Sequence, residues 1–344
     1  MRRPYLITGG CGFVGRNLTK RLLKMHKEVW VVDNLFTGRM PEEWLPKNFQ
    51  KKPHKRGISM YSNGRFRLYF IKEDLVEFLS YEIKNPNLSI LPKFSDVYHL
   101  ASIVGGRELI EGDPLLVSKD LAIDSYFFLW VTRFLKKHQR VLYPSSSAAY
   151  PVDLQNKGRH ALKESDLDFK SYIGVPDMTY GWSKVSGEFL GRLAAKKYGV
   201  KVACVRPFSG YGEDQELVYP IPAIAQRVAQ KQDPLTVWGD GRQGRDFVYI
   251  DDCIDAFFVA LDNISDGSAL NIGSGKLTSF NEVLKIFCKI KGYQPKIKKL
   301  SSKPVGVVKR YANITKIKKL RWSPKIDNYE GFARVLAYAE SQIK

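Results

Sequence analysis

Tyr180 and Lys184 stand one helical turn apart in a stretch that reads as the start of a helix, so their side chains share a face. A phenol with an ordinary pKa of about 10 is a poor base near neutrality, but an ammonium beside it stabilises the phenolate. Such a pair can take a proton from an alcohol; taken alone, it also fits the surface of an amphipathic helix. Tyr143-Pro144-Ser145-Ser146-Ser147-Ala148-Ala149-Tyr150 adds weight, because a hydroxyl cluster there closes an apolar strand. In α/β sheets that edge is where ligands bind. A serine so placed hydrogen-bonds the hydroxyl that Tyr180 deprotonates and aligns it for loss of hydride.

A hydride needs an acceptor, and the N-terminus offers a place for one. Thr8-Gly9-Gly10-Cys11-Gly12-Phe13-Val14-Gly15 lies between a strand-like run (Tyr5 to Thr8) and a helical pattern of Val14, Leu18, Leu22 and Leu23. Glycines suit a tight turn whose backbone touches a pyrophosphate, and the helix that follows presents free N–H groups and its positive end to that anion. Gly9, Gly12, Phe13, Val14 and Gly15 are the candidate contacts. The next apolar strand, Glu28 to Asp33, ends on a carboxylate. Asp33 there accepts hydrogen bonds from both adenosine ribose hydroxyls and repels a 2′-phosphate, which favours NAD over NADP.

The elements that must hold these groups alternate. Further strands are expected at 66–75, 96–101, 140–144 and 201–206, with helices at 121–135 and about 179–197. That alternation predicts an α/β fold, a Rossmann-type doubly wound parallel sheet. The expected division is an NAD-binding domain over 1–207 that includes the Tyr/Lys helix, then a smaller C-terminal α/β substrate lobe over 208–344, some of whose segments return to the first sheet. Residues 37–64 are basic and aperiodic and read as a mobile surface insertion.

Composition narrows the class. Fifty-five Lys and Arg against 35 Asp and Glu give a formal charge of +20, which raises a nucleic-acid or other anionic partner. The excess is spread along the chain, with modest concentrations at 47–67 and 285–319, and no zinc finger or RNA-binding aromatic motif accompanies it. A Lys-rich proteome, or a basic surface that draws in an anionic substrate, is the preferred reading. Cys11, Cys204, Cys253 and Cys288 are scattered without metal-ligand spacing, so neither a metal site nor a disulfide framework is expected. No run of about 20 apolar residues spans a membrane, and no signal-peptide core follows Met1, so a cytoplasmic protein is expected.

Taken together, the glycine motif, Asp33-Asn34-Leu35-Phe36-Thr37-Gly38-Arg39, Tyr98-His99-Leu100-Ala101, the serine cluster and Tyr180 with Lys184 resemble the extended short-chain dehydrogenases, the NAD-dependent sugar-nucleotide epimerase/dehydratase family. Arg245-Asp246-Phe247, Asn271-Ile272-Gly273-Ser274 and Leu320-Arg321-Trp322-Ser323-Pro324 extend the likeness over nearly the whole chain. The resemblance implies Ser146, Tyr180 and Lys184 as catalytic residues. It adds Asn34, Gly38, Asp74, Leu75, Leu100, Ala101 and Pro207 to the cofactor site, beside Tyr180 and Lys184. A nucleotide diphosphate sugar, UDP- or GDP-linked, would meet Gly105, Gly106, Ser146, Ser147, Ser209, Arg245 and Arg310. Arg245 resembles the family's pyrophosphate-binding arginine; alone, it could equally pair with Asp251 or Asp252. Arg310 offers a second contact, although the family's arginine aligns nearer Val308, and Ser209 stands where the family often has asparagine.

Dehydratases and decarboxylases of this family carry acidic residues just after the catalytic serine, where this chain has Ser147 and Ala148. That difference favours epimerisation through transient oxidation at sugar C4. Val104-Gly105-Gly106 and Ser146 to Pro151 also resemble the GDP-mannose 3,5-epimerase branch, but its loop cysteine is Ala148 here and its lysine has no match near Pro220. A dehydratase or net 4-dehydrogenase, and a non-enzymatic NAD-binding module with a basic partner surface, stand as alternatives. The aromatic run Tyr126-Phe127-Phe128-Leu129-Trp130 exceeds what one sheet face should cover and implies a homodimer through that helix.

Overall fold

The computed structural model describes residues 3–135, 139–156, 161–303 and 305–343. Nine strands form its main sheet: β1 (Tyr5–Thr8), β2 (Val29–Asp33), β3 (Gln50–Pro53), β4 (Ser59–Asn63), β5 (Phe66–Lys72), β6 (Asp96–His99), β7 (Arg140–Pro144), β8 (Lys201–Pro207) and β9 (Asp266–Ile272). Their order is β9-β8-β7-β6-β1-β2-β5-β4-β3, parallel from β9 through β5. From β1 the chain winds outward through β2 to β5, then returns to β6 on the other flank. The crevice between the ends of β1 and β6 is thus the switch point at which such sheets bind ligands.

Side chains alternate across the strands and fill one core on each face. Ile7, Val31, Leu142 and Val205 meet Leu18 and Leu22 of the helix Phe13–Lys24 and Ile254 and Phe257 of the helix Ile250–Asn263. Leu6, Trp30, Val97, Val141 and Val202 meet Phe78 and Leu79 of the helix Leu75–Lys84 and Phe127, Phe128 and Val131 of the helix Lys119–Phe134. Burying each such side chain contributes roughly 1.5–3 kcal/mol before the entropy of ordering it. Beyond β8, the helix Ile250–Asn263 and strand β9 return to this sheet. The remainder builds three small sheets and the packed helices Pro220–Ala229, Phe280–Lys291 and Asn328–Ser341.

Two expectations are corrected. Residues 37–64 are not an aperiodic surface insertion: β3 and β4 form an antiparallel hairpin that extends the sheet beyond β5. Gln50 to Pro53 is exposed along its length, so its burial shows no alternation to read, and the register comes from hydrogen bonds to β4. The aromatic run of the helix Lys119–Phe134 is not surplus surface either. Phe127, Phe128 and Trp130 are buried under the sheet, where Phe127 stacks on His99 at 3.7 Å between ring centroids.

Candidate active site

The glycine turn after β1 is shaped by close approach. Gly9 has a φ of +70°, and a Cβ there would lie 2.5 Å from the Ala101 backbone nitrogen. A Cβ on Gly15 would lie 2.3 Å from the Gly9 carbonyl oxygen, so the helix Phe13–Lys24 can sit on the turn only because residue 15 has no side chain. Gly12 differs: its Cβ would meet a single atom, the Gly9 oxygen at 3.6 Å, and it caps the helix with no side chain. The first N–H groups, from Phe13, Val14 and Gly15, have no intrahelical acceptor. Open space above Gly12 in front of free N–H groups fits the pyrophosphate of a dinucleotide.

Asp33 closes β2 nearly buried, at 9% exposure. Its Oδ2 accepts the Cys11 N–H at 2.8 Å and its Oδ1 the Leu35 N–H at 2.7 Å, the latter turned back by a left-handed Leu35 with φ of +64°. Burial raises the Asp33 carboxyl above the usual range and the two N–H groups pull it back. Each oxygen keeps a lone pair for a ribose hydroxyl. Gly38 passes close by; a Cβ on it would lie 3.1 Å from Asp33 Oδ1. Asn34 donates to Asp74 at 3.3 Å, while Asp74 caps the helix that Leu75 opens. Leu100 and Ala101 follow β6 directly against the glycine turn, and Pro207 ends β8 beside Ile272. These residues fit NAD, with the carboxylate at the second strand end and the glycine cradle at the first.

The serine loop and the Tyr/Lys helix Met178–Tyr198 are brought together by another glycine. A Cβ on Gly181 would lie 2.5 Å from the Ala148 carbonyl oxygen, and the Asp177 N–H donates to that same oxygen at 2.9 Å. The first turn of the helix therefore rests on the loop, with Ser146 near enough to Tyr180 to favour its phenolate. Ser146 Oγ also accepts the Ala148 N–H at 3.1 Å, which fixes its rotamer. Ser147 and Ala148 are buried. Lys184 is 4% exposed, with Nζ 5.4 Å from the Tyr180 ring centroid, and it donates to Ser102 Oγ at 2.9 Å. Burial raises the Tyr180 hydroxyl above its ordinary value, opposed by Lys184 and Ser146. Burial pulls the Lys184 ammonium down, but Asp120, Tyr180 and Asp124 outweigh it and leave it raised.

On the other side of the crevice, Arg245 donates to the carbonyls of Gly244 and Val307 at 2.8 Å and of Val305 at 3.1 Å. It makes no ion pair with Asp251 or Asp252. Asp251 pairs with Arg21, and Asp252 accepts the N–H groups of Lys325 and Ile326. Burial, with Arg310 and Arg107 nearby and Asp177 opposing them, lowers the Arg245 guanidinium to about 9. Arg310 pairs with Asp177 at 2.6 Å and also bonds Gln155. Arg107 pairs with the same Asp177 at 2.9 Å. A Cβ on Gly306 would lie 3.4 Å from Arg107 Cζ and 3.5 Å from Arg245 Nη2. Three guanidiniums thus gather around one carboxylate, beside the Tyr/Lys helix.

Sequence reasoning missed Arg107 and Asp177, although Arg107 directly follows Gly105-Gly106 and Asp177 stands three residues before Tyr180. It missed Ser102 and Asp120 as well. Gly106 is closely packed, since a Cβ on it would lie 2.4 Å from the Val218 carbonyl oxygen, while one on Gly105 would meet only the Leu109 side chain, Cδ2 at 2.7 Å. Ser209 opens a short strand against Phe247–Tyr249 and donates its N–H to Asp246. Val308 is exposed, whereas Arg310, two residues on, reaches Asp177. Among the described residues no His, Cys, Asp or Glu cluster could hold a metal, and none of the helices is long and apolar enough to cross a membrane. The four cysteines are free.

Known proteins resemble this chain in sequence and fold. The chain is 28% identical to UDP-glucuronic acid decarboxylase 1 of Arabidopsis thaliana, over 99% of this chain and 71% of that protein. It is 27% identical to a UDP-glucuronate 4-epimerase of Thermodesulfobacterium geofontis, over 99% and 97% of the two chains. Its fold matches a crystal structure of UDP-glucuronic acid 4-epimerase from Bacillus cereus in complex with UDP-glucuronic acid and NAD. That match has a TM-score of 0.77 at 25% identity and covers 98% of this chain and 99% of that one. Residues 5–273 match the NAD dependent epimerase/dehydratase family, most of the 344-residue chain and every strand of the main sheet, and the protein belongs to that family, with NAD as its cofactor.

Proposed function

We propose that the protein is a sugar-nucleotide epimerase that inverts C4 of a UDP-linked sugar through transient oxidation. The observation that carries this reading is the Ser146–Tyr180–Lys184 group at the switch-point crevice, with no carboxyl group at positions 147 and 148. Tyr180 takes the proton of the C4 hydroxyl, Ser146 hydrogen-bonds the same oxygen, and Lys184 stabilises the phenolate. NAD, when bound, supplies the hydride acceptor for C4 and the donor for its return. Tyr180 then gives its proton back to the C4 oxygen after the sugar has turned. Arg245 and Arg310, joined by Arg107, hold the diphosphate while the sugar moves. Ser147 and Ala148 offer no carboxyl to expel water from C5–C6, which sets dehydration aside. Ala148 offers no thiol for inversion at C3 or C5.

The test is turnover of UDP- and GDP-sugars in deuterated water. Return of the same hydride places no solvent deuterium on carbon, so the epimerised product is expected to keep its mass once exchangeable positions are washed out. Carbon-bound deuterium would sink C4 epimerisation in favour of 3,5-inversion, and sustained NADH release would favour a net dehydrogenase.

The proposed assembly is a homodimer. Leu121 and Leu129 on the helix Lys119–Phe134 and Trp182, Phe189 and Leu193 on the adjoining Tyr/Lys helix are large apolar side chains left exposed. Pairing these two helices with their copies removes that surface from water. Light scattering is expected to give twice the 39.3 kDa chain mass, and Phe189→Glu to give the single mass. A monomeric wild-type mass would refute the dimer.

A further inference from the structure

Lys184 does not face Tyr180 alone. Its Nζ donates to Ser102 Oγ at 2.9 Å, and Ser102 in turn donates to Asp120 Oδ2 at 2.7 Å. That same carboxylate oxygen lies 3.9 Å from Nζ. The other oxygen, Oδ1, accepts the Ile103 N–H at 2.6 Å. Asp120 is 1% exposed, so its charge is not dispersed into water. It ties the loop after β6, the helix Lys119–Phe134 and the Tyr/Lys helix together at one carboxylate. We propose that Asp120 is a positioning residue for the reaction: through Ser102 it holds the Lys184 ammonium and sets how much of that charge reaches the Tyr180 hydroxyl. This inference rests on Tyr180 being the base.

The other charged and titratable groups around the pair leave Asp120 in control. Tyr180 faces Lys184, Ser146, Asp120 and Arg310, with Tyr219 close by. Lys184 also faces Asp124 and lies 5.8 Å from the Tyr143 ring centroid. Asp124, however, is committed elsewhere: it accepts the Tyr143 hydroxyl at 2.6 Å and contacts His99 Nε2 at 3.1 Å. His99 is held low by burial, partly offset by Asp124. Asp120 is the carboxylate linked to Lys184 through a shared hydroxyl.

The arrangement gives two substitutions opposite effects. Asp120→Asn keeps the shape and the Ile103 acceptor but removes that negative charge, so more of the ammonium's field reaches Tyr180. The acid limb of the kcat–pH profile, where the base gains its proton, is expected to move down by about one pH unit, a tenfold change in the ionisation constant. Ser102→Ala removes the shared hydroxyl and leaves Lys184 and Asp120 to pair directly, so the limb is expected to move up. A purely structural role for either residue moves both in the same direction or neither.

The experiment measures kcat and KM against pH for the NAD-loaded wild type and both variants, together with thermal melting. It adds tyrosinate absorbance titrations, with Tyr180→Phe as the reference for the Tyr180 signal. Opposite shifts in both kcat and the tyrosinate signal, at nearly constant KM, support the proposal. An unmoved limb in a folded Asp120→Asn protein overturns it, as do shifts of one sign in both variants. If Asp120→Asn does not fold, Ser102→Ala decides by itself: an upward shift supports the assignment, and no shift overturns it. Retained activity in Tyr180→Phe removes the base assignment, and this inference falls with it. Loss of activity there with unmoved limbs in the other variants rejects the role of Asp120 alone.

Discussion

Tyr180→Phe is expected to lower kcat for sugar-nucleotide conversion by roughly 10²–10⁴-fold, the usual size of a general-base contribution. The phenyl ring keeps the packing of the first helical turn on the serine loop, so the loss falls on the chemical step and KM changes little. NAD binding is expected to persist, because the glycine turn and Asp33 lie on other elements. The pH dependence gives a second check. Burial holds the Tyr180 hydroxyl above its ordinary value despite Lys184, so near neutrality only a minor fraction is phenolate. The wild-type rate should therefore rise with pH towards the Tyr180 pKa, and the residual rate of Tyr180→Phe should lack that slope. Lys184→Met removes the opposing cation and is expected to push the rising limb to still higher pH. An unchanged kcat in Tyr180→Phe would contradict the assignment directly.

What could be read from the sequence follows from how local each requirement is. The glycine turn, Asp33, the serine loop and the Tyr/Lys pair each need particular residue types at short spacing, and their chemistry leaves little alternative. Gly181 was legible only in hindsight; its neighbour in space, Ala148, belongs to a different element, and the need for glycine arises from that contact. Arg107 was hidden more deeply. Its bond to Asp177 spans 70 positions, and locally it looks like the cation of a surface pair with Glu111 one turn on. Asp120 and Asp124 fall on the buried side of a helix whose apolar stripe they interrupt, which reads as a weaker helix rather than as a charged site. The hairpin of β3 and β4 was missed because an edge strand bearing Lys51 and Lys52 takes its order from its partner's backbone. Arg245 was named from its motif, but two of the three carbonyls that anchor it, those of Val305 and Val307, came from the fold of residues 305–307.

Arg206→Met is expected to cost about 3–5 kcal/mol of stability, because it strands a carboxylate in the core. Arg206 and Glu188 are both fully buried and joined by two parallel bonds, Nε to Oε1 and Nη2 to Oε2, each 2.8 Å. Arg206 Nη1 adds the Tyr150 hydroxyl at 3.0 Å and the Glu164 carbonyl at 3.1 Å, and Tyr150 donates onward to Asn271 Oδ1 at 2.7 Å. The pair thus fastens β8 to the Tyr/Lys helix one turn beyond Lys184, and to the end of the serine loop. Its desolvation cost is large, so its net gain over an apolar pair should be small. The double variant Glu188→Leu/Arg206→Met is accordingly expected to recover most of the stability lost by the single one. Denaturant unfolding of the two variants against wild type measures this as an interaction energy. The double variant should also show whether the ion pair sets geometry as well as stability. If its kcat falls while its unfolding midpoint returns, the directional bonds hold Tyr180 and Lys184 in register with Ser146, which an apolar contact of equal strength does not.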